Sequence, residues 1–225
     1  NIYSISRTYL KNYESFIKKQ FIFDLSSDSL KVGSSDFSEF YAQNKIKNNK
    51  IIFLFLSWYG TPRMELEENR LDIYSINEII IRNYIWLVNK FKPDHVIFSS
   101  SSGSIYNMES KIISSENSNL VLNTAYAKLK IKCEKSLRDE CLIQSISLSI
   151  LRISTAYSYI SSSSRQGVIA KWFSDLLNNK RIELYNSLDS EINFISYSQI
   201  SKALEICVDQ FISGTFNLGS KKSIS

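Results

Sequence analysis

An α/β fold built on a doubly wound parallel sheet is predicted by three features of this sequence. Short strand-like runs alternate with helical patterns along most of the chain. Two of those runs, Ile51 to Leu56 and Val96-Ile97-Phe98, are continuously apolar, the mark of a strand covered on both faces. The core is large enough: 44% of the 225 residues are hydrophobic and 13% aromatic.

The elements follow in order. Ile2 to Ser6 alternates as a short strand, and Phe21 to Phe23 is another that ends at Asp24. Ile51 to Leu56 is the first buried strand. Leu71 to Phe91 predicts a long helix with Ile76, Ile79, Ile80, Asn83 and Leu87 along one side, broken by Pro93. Val96 to Phe98 is the next buried strand. Thr124 to Arg138 predicts a helix, Ser145 to Ile153 a strand alternating Ile146, Leu148 and Ile150, and Val168 to Leu177 a further helix. Ile182 to Tyr185, Asn193 to Ser196 and Thr215 to Leu218 are predicted as short strands, with a helix from Gln199 to about Phe211. Such strand–helix units join by right-handed crossovers, and their ligands sit at the carboxyl ends of the strands. The serine-rich stretch Ser158 to Ser164 reads as a loop.

Composition narrows the function. The net charge of +5 is scattered rather than striped, which argues against a nucleic-acid partner. The longest apolar run is far too short to span a bilayer, and no secretory signal is visible. The three cysteines, Cys133, Cys141 and Cys207, lack metal-ligand spacing, so a reduced, cytoplasmic protein with buried thiols and no metal is expected. The single histidine, His95, opens a strand and reads as structural.

The chemistry concentrates between Val96 and Lys130. The buried strand empties into the serine cluster Ser99 to Ser104, and Tyr126 and Lys130 follow, four residues apart on one helix face. A free phenol, with a pKa near ~10, is a poor base at neutral pH. A cation held close lowers that pKa, and a serine hydroxyl can hold the substrate oxygen as its proton moves. Together they permit acid–base catalysis at a carbinol or carbonyl beside a nicotinamide cofactor.

In these segments the chain resembles the extended short-chain dehydrogenase/reductase family, of the nucleotide-sugar epimerase and dehydratase type. Phe23-Asp24-Leu25 is similar to the family's step after its third strand. Ile52 to Ser57 resembles the fourth strand and its small-residue turn, and Asn77 stands where the family has an asparagine. Phe98 to Tyr106 resembles the Ser-Ser-x-x-x-Val-Tyr-Gly segment, Thr124 to Lys130 the Tyr-Gly-x-Ser-Lys helix, and Leu151 to Tyr157 the Leu-Arg-x-x-Asn-x-Tyr-Gly-Pro segment. Gly167 to Leu184 and Asn193 to Ile200 follow the substrate-domain pattern, and Phe216 to Ser220 its closing strand.

The resemblance implies a Rossmann-like, doubly wound sheet over residues 1–154 and a small C-terminal substrate-binding portion over 155–225. It implies a catalytic trio of Tyr126 as acid/base, Lys130 lowering its pKa and holding the nicotinamide ribose, and Ser102 positioning the substrate oxygen, with Ser104 the alternative serine. Arg7, Asp24, Leu25, Leu56, Ser57, Asn77, Ser100, Tyr126, Lys130 and Ser154 are the implied cofactor residues. Ser104, Thr155, Tyr157 and Val168 are implied on the substrate side. The cofactor is NAD or NADP. The second strand runs into Arg7-Thr8 with no carboxylate before Glu14, which favours NADP, since a guanidinium suits a 2′-phosphate. A nucleotide sugar is the implied substrate, and a homodimer is an open expectation. The alternatives are a reductase of another carbonyl compound and a non-catalytic cofactor-binding protein of the same fold.

The departures also matter. No Gly-rich phosphate loop is present. Asn1 to Arg7 corresponds to the second strand, so a fragment cut at both ends is expected. Ile192-Asn193 stands in place of the family's Arg-Asp, Thr155 in place of its Asn, and Ser158-Tyr159 in place of Gly-Pro. Arg165, Lys171 and Arg181 are the cations available to replace the lost arginine. Gly103 and Ser104 replace the acidic pair of the dehydratases, which disfavours dehydration.

Overall fold

The computed structural model describes residues 2–6, 17–22, 24–27, 35–61, 64–65, 72–106, 114–158, 168–182 and 191–224. Its strands are β1 Ile2–Ser6, β2 Ile17–Ile22, β3 Ile52–Phe55, β4 His95–Ser101, β5 Ser147–Ile153, β6 Thr155–Tyr157, β7 Phe194–Ser196 and β8 Gly214–Leu218. Its helices are α1 Ser35–Ile46, α2 Asp72–Phe91, α3 Ala125–Ile143, α4 Val168–Leu177 and α5 Tyr197–Gln210. Nearly every predicted element is present. The predicted strand Ile182 to Tyr185 falls mostly outside the described residues, as do Phe23 and most of Ser158 to Ser164. The sequence reading did not include α1 or β6.

The central sheet is four-stranded and parallel, in the order β3-β4-β5-β8. β1 pairs with β2 and β6 with β7, both in parallel. The pleat explains the continuous apolar run of β4. β3 instead buries Phe53 and Phe55 on one face and leaves Leu54 40% exposed on the other, so it is not covered on both faces as its run predicts. Val96 and Phe98 of β4 and Leu148 and Ile150 of β5 point into a core shared with α1, α2 and α3. The intervening Ile97 and Leu151 point the other way, against Leu204 and Cys207 of α5. Burial on both faces is what doubly wound means here, and truncating a core ring such as Phe98 costs about 3–5 kcal/mol. β8 pairs with β5 along Ser149 to Ile153, so the last strand of the expected substrate portion closes the same sheet.

Local chemistry sets the element ends near the site. Thr124 caps α3, its side chain accepting from the Ala127 amide. Ser196 and Gln199 form a reciprocal capping box at the start of α5. At the edge of the first core, Lys45 and Lys50 bind Asp94. Burial pushes the Asp94 carboxyl up, but the Ile51 amide and the Lys45 ammonium outweigh it and hold its pKa below the usual range. His95 is fully buried, with Nε2 3.0 Å from Ser149 Oγ and its ring against Phe211, which is the structural role predicted for it. All three cysteines are free and buried. Among the described residues, no helix is long and apolar enough to cross a membrane, and no cluster of metal-ligating side chains occurs.

Candidate active site

The site forms where β4 ends against the first turn of α3. β4 runs through Ser101, which pairs with Ile153 of β5, and the turn begins at Ser102, whose amide donates to the Ile153 carbonyl at 2.9 Å. The serine run therefore divides by position. The Ser99 carbonyl accepts from Lys130 Nζ at 2.8 Å. Ser100 is buried and donates to Glu134 at 2.5 Å. Ser101 Oγ lies 3.0 Å from Ser104 Oγ, and its side chain acts on the Tyr126 phenol, lowering its pKa.

Spacing from Tyr106 points to Ser102, which sits in the turn after β4, whereas Ser101, the last residue of β4, is the serine whose side chain acts on the Tyr126 phenol. Ser104, the alternative, belongs to the same hydroxyl chain through Ser101.

Burial pushes the Tyr126 phenol up to about 12, with the Ser101 side chain pulling the other way. Burial drives the Lys130 ammonium down to about 7, against the pull of Cys133 and Glu134. The ammonium is walled by rings, with Nζ 4.0 Å from the Trp58 centroid, 4.9 Å from Phe98 and 5.8 Å from Tyr126. Beneath it lies a buried ion pair. Arg152 meets the Glu134 carboxylate at 2.7 Å, and donates to the Tyr106 hydroxyl at 2.7 Å, which donates to Asn217 at 2.9 Å.

Two contributors were not found from sequence. The Glu65 carboxylate accepts from the amides of Ala125 at 2.5 Å and Tyr126 at 2.9 Å, closing the N-terminus of α3 over the site. Trp58 covers Lys130. Neither carries a local signal, because each meets its partner only after β3 and α3 dock.

The implied cofactor residues divide into groups. Tyr126 and Lys130 lie together. Asn77 is fully buried, and its amide is engaged with the Tyr59 amide and carbonyl and the Ile73 carbonyl, so it shapes the loop after β3. Ser100 donates its hydroxyl to Glu134. Asp24 folds back on the Ser26 amide and hydroxyl, and the Leu25 carbonyl is held by Asn83. Leu56 and Ser57 are exposed just beyond β3. Ser154 Oγ is buried with no hydrogen-bond partner. Arg7 lies outside the described residues.

On the substrate side, Thr155 and Tyr157 belong to β6, which continues from the carboxyl end of β5 and pairs with β7. Val168 opens α4. Asn193 bonds both the amide and the carbonyl of Ser220, and a Cβ on Gly219 would run into Asn193 Oδ1, so this junction requires glycine. Of the cations proposed to replace the lost arginine, Lys171 is paired with Asp175 at 2.7 Å, Arg181 is exposed, and Arg165 lies outside the described residues.

A parallel, doubly wound sheet thus gathers a tyrosine, a lysine and serine hydroxyls at one strand's carboxyl end, where such folds hold their ligands. The chain belongs to the NAD dependent epimerase/dehydratase family, whose model matches residues 50–219. Among solved structures it is similar to the UDP-glucose 4-epimerase of Thermus thermophilus in complex with NAD, with a TM-score of 0.76 and 12% identity over 100% of this chain and 79% of that one. It is similar to the UDP-N-acetylglucosamine 4-epimerase of Methanobrevibacter ruminantium in complex with UDP-N-acetylmuramic acid, with a TM-score of 0.73 and 19% identity over 99% of this chain and 77% of that one. The dTDP-glucose 4,6-dehydratase of Bacillus anthracis in complex with NAD gives a TM-score of 0.74 and 13% identity over 100% of this chain and 68% of that one. At such identities the likeness shows the fold alone. A search of curated protein sequences gave no match.

Proposed function

We propose that this chain serves an NAD(P)-dependent enzyme that epimerises or reduces a nucleotide-activated sugar. The observation that carries the reading is that Tyr126 and Lys130 lie one helical turn apart on α3, with Lys130 Nζ 5.8 Å from the Tyr126 ring and 2.8 Å from the Ser99 carbonyl of the serine run that ends β4. The side chains present suit a dinucleotide. Lys130 has three N–H donors, and the Ser99 carbonyl accepts one of them. Trp58 Nε1 and Ser154 Oγ are buried and unpartnered. When bound, the nicotinamide accepts or returns a hydride at the sugar carbon.

The chain's own residues would manage the proton. Tyr126 gives a proton to, or takes one from, the sugar oxygen, and Ser101 holds that oxygen in line. A phenol with a pKa of about 12 is a proton donor at neutral pH. Service as a base requires a nearby positive charge, and a protonated Lys130 supplies it. Ser104 continues the hydroxyl chain from Ser101 towards the turn. Thr155 and Tyr157 would line the sugar side. Gly103 and Ser104, in place of an acidic pair, favour epimerisation or reduction over dehydration.

A second reading, reduction of a carbonyl compound that carries no nucleotide, is favoured by Ile192. It stands where the family pattern has a phosphate-binding arginine, and it bridges to Ile224. The test is incubation of the whole protein with NAD or NADP and a panel of UDP- and dTDP-sugars, with products identified by NMR. A 4-epimer or a keto sugar supports the first reading. Inert nucleotide sugars together with turnover of simple carbonyls support the second. Arg7→Ala, with dissociation constants for both cofactors, tests the NADP preference: selective loss of NADP affinity assigns NADP, and equal losses or no loss remove that preference.

A further inference from the structure

The segment leaving β3 places one ring against the buried lysine. Lys130 Nζ lies 4.0 Å from the Trp58 centroid, closer than to any other ring at the site. The indole also meets Tyr126 edge-on, with centroids 6.2 Å apart at 77°, and tilts against Phe98. An indole is the best aromatic face for a cation, and the attraction grows as water is removed. The segment is pinned. Asn77 holds both backbone groups of Tyr59, the Tyr84 hydroxyl donates to the Ser57 carbonyl, and the Tyr59 hydroxyl donates to Asp72 at 2.9 Å. Gly60 then turns at φ +75°, where a Cβ would strike the Ile73 side chain. The Trp58 face is therefore built in. Its Nε1–H is nevertheless buried without an acceptor, a state proteins seldom tolerate.

We propose that Trp58 is a positioning residue whose indole face holds the Lys130 ammonium against the Ser99 carbonyl, beside Tyr126, and whose free N–H donates to an oxygen of the bound dinucleotide. The inference rests on the function proposed above. Neither the run of small residues expected at this turn nor the Tyr/Lys spacing signals it. The groups facing Lys130 are Tyr126, Cys133 and Glu134 from α3, the Ser99 carbonyl from β4, and Arg152 from β5 through its pairing with Glu134.

The test is the 1H–15N spectrum of the whole protein, in which the indole N–H signals of Trp58, Trp86 and Trp172 are assigned by single Trp→Phe variants. Without cofactor, the Trp58 signal titrates near neutral pH, and the titration disappears in Lys130→Met, or in Lys130→Gln if the first variant does not fold. On addition of NAD(P), the Trp58 indole proton moves downfield while that of Trp86 stays. Trp58→Phe, which keeps a ring face and loses the donor, weakens the dinucleotide by about tenfold or less. An unchanged titration in both Lys130 variants overturns the proposal. So does NAD(P) binding, seen by calorimetry, with the Trp58 signal unmoved. Absence of any NAD(P) binding counts against the proposed function instead, and the pH series still decides the Trp58–Lys130 contact.

Discussion

Ser101 Oγ lies 3.0 Å from Ser104 Oγ at the end of β4, and the Ser101 side chain acts on the Tyr126 phenol, lowering its pKa. Ser101→Ala removes that hydroxyl. It is expected to lower kcat by about a hundredfold, within the usual range for groups that assist proton transfer. Ser102→Ala is expected to have a much smaller effect, because Ser102 contributes its backbone to β5 and the turn. Steady-state kinetics of the two variants on one substrate compare them directly. Equal losses would return the role to the motif spacing.

Lys130 gives the protein a pH-dependent stability. Its folded-state pKa of about 7 lies below the ordinary 10.5. Between those values the unfolded chain holds a proton that the folded chain lacks, so stability rises with pH. Below about 7 both states are charged and the burial penalty is present in full. The rise is opposed once unfolded thiols ionise near 9, since burial pushes Cys133 up to about 12 and the folded chain keeps that proton. Urea midpoints should therefore climb from pH 7 to 9, and Lys130→Met should flatten the climb. A slope unchanged in that variant would place the titration elsewhere.

The Glu134–Arg152 pair sits behind the site with its side chains 4% and 7% exposed. Glu134→Gln leaves the guanidinium short of its counter-charge, and leaves Ser100 a neutral acceptor in place of the carboxylate. Removing one partner of a buried pair costs about 3–5 kcal/mol. Urea unfolding should register a loss of that order. A loss below about 1 kcal/mol, the scale of exposed pairs, would mean that water reaches the pair.

Much of the fold was legible because its strongest signals are local. α2 has a long apolar face and ends at Phe91, two residues before Pro93, while β4 carries a continuous apolar run matched by burial on both faces. α1 was missed because its apolar face is little more than Phe37, Phe40 and Tyr41 in an otherwise polar stretch, and it gains its packing from Phe21 and Phe53. At the site, Tyr126 and Lys130 were legible from their spacing. The choice among four consecutive serines was not, since identical side chains carry no register, and pairing with β5 decides where the strand ends. Glu65 and Trp58 reach α3 across about 60 residues of chain, a distance over which sequence pattern is silent.

The central claim is that Tyr126 moves the proton at the sugar oxygen. The most direct measurement is a single-turnover comparison of the whole protein with its Tyr126→Phe variant, following reduction of bound NAD(P) by a nucleotide sugar that the wild type converts. Phenylalanine keeps the ring against Trp58 and removes only the hydroxyl. The account predicts a rate lower by about two or more orders of magnitude, with cofactor affinity and the urea midpoint close to wild type. Near-normal reduction in the variant would contradict it.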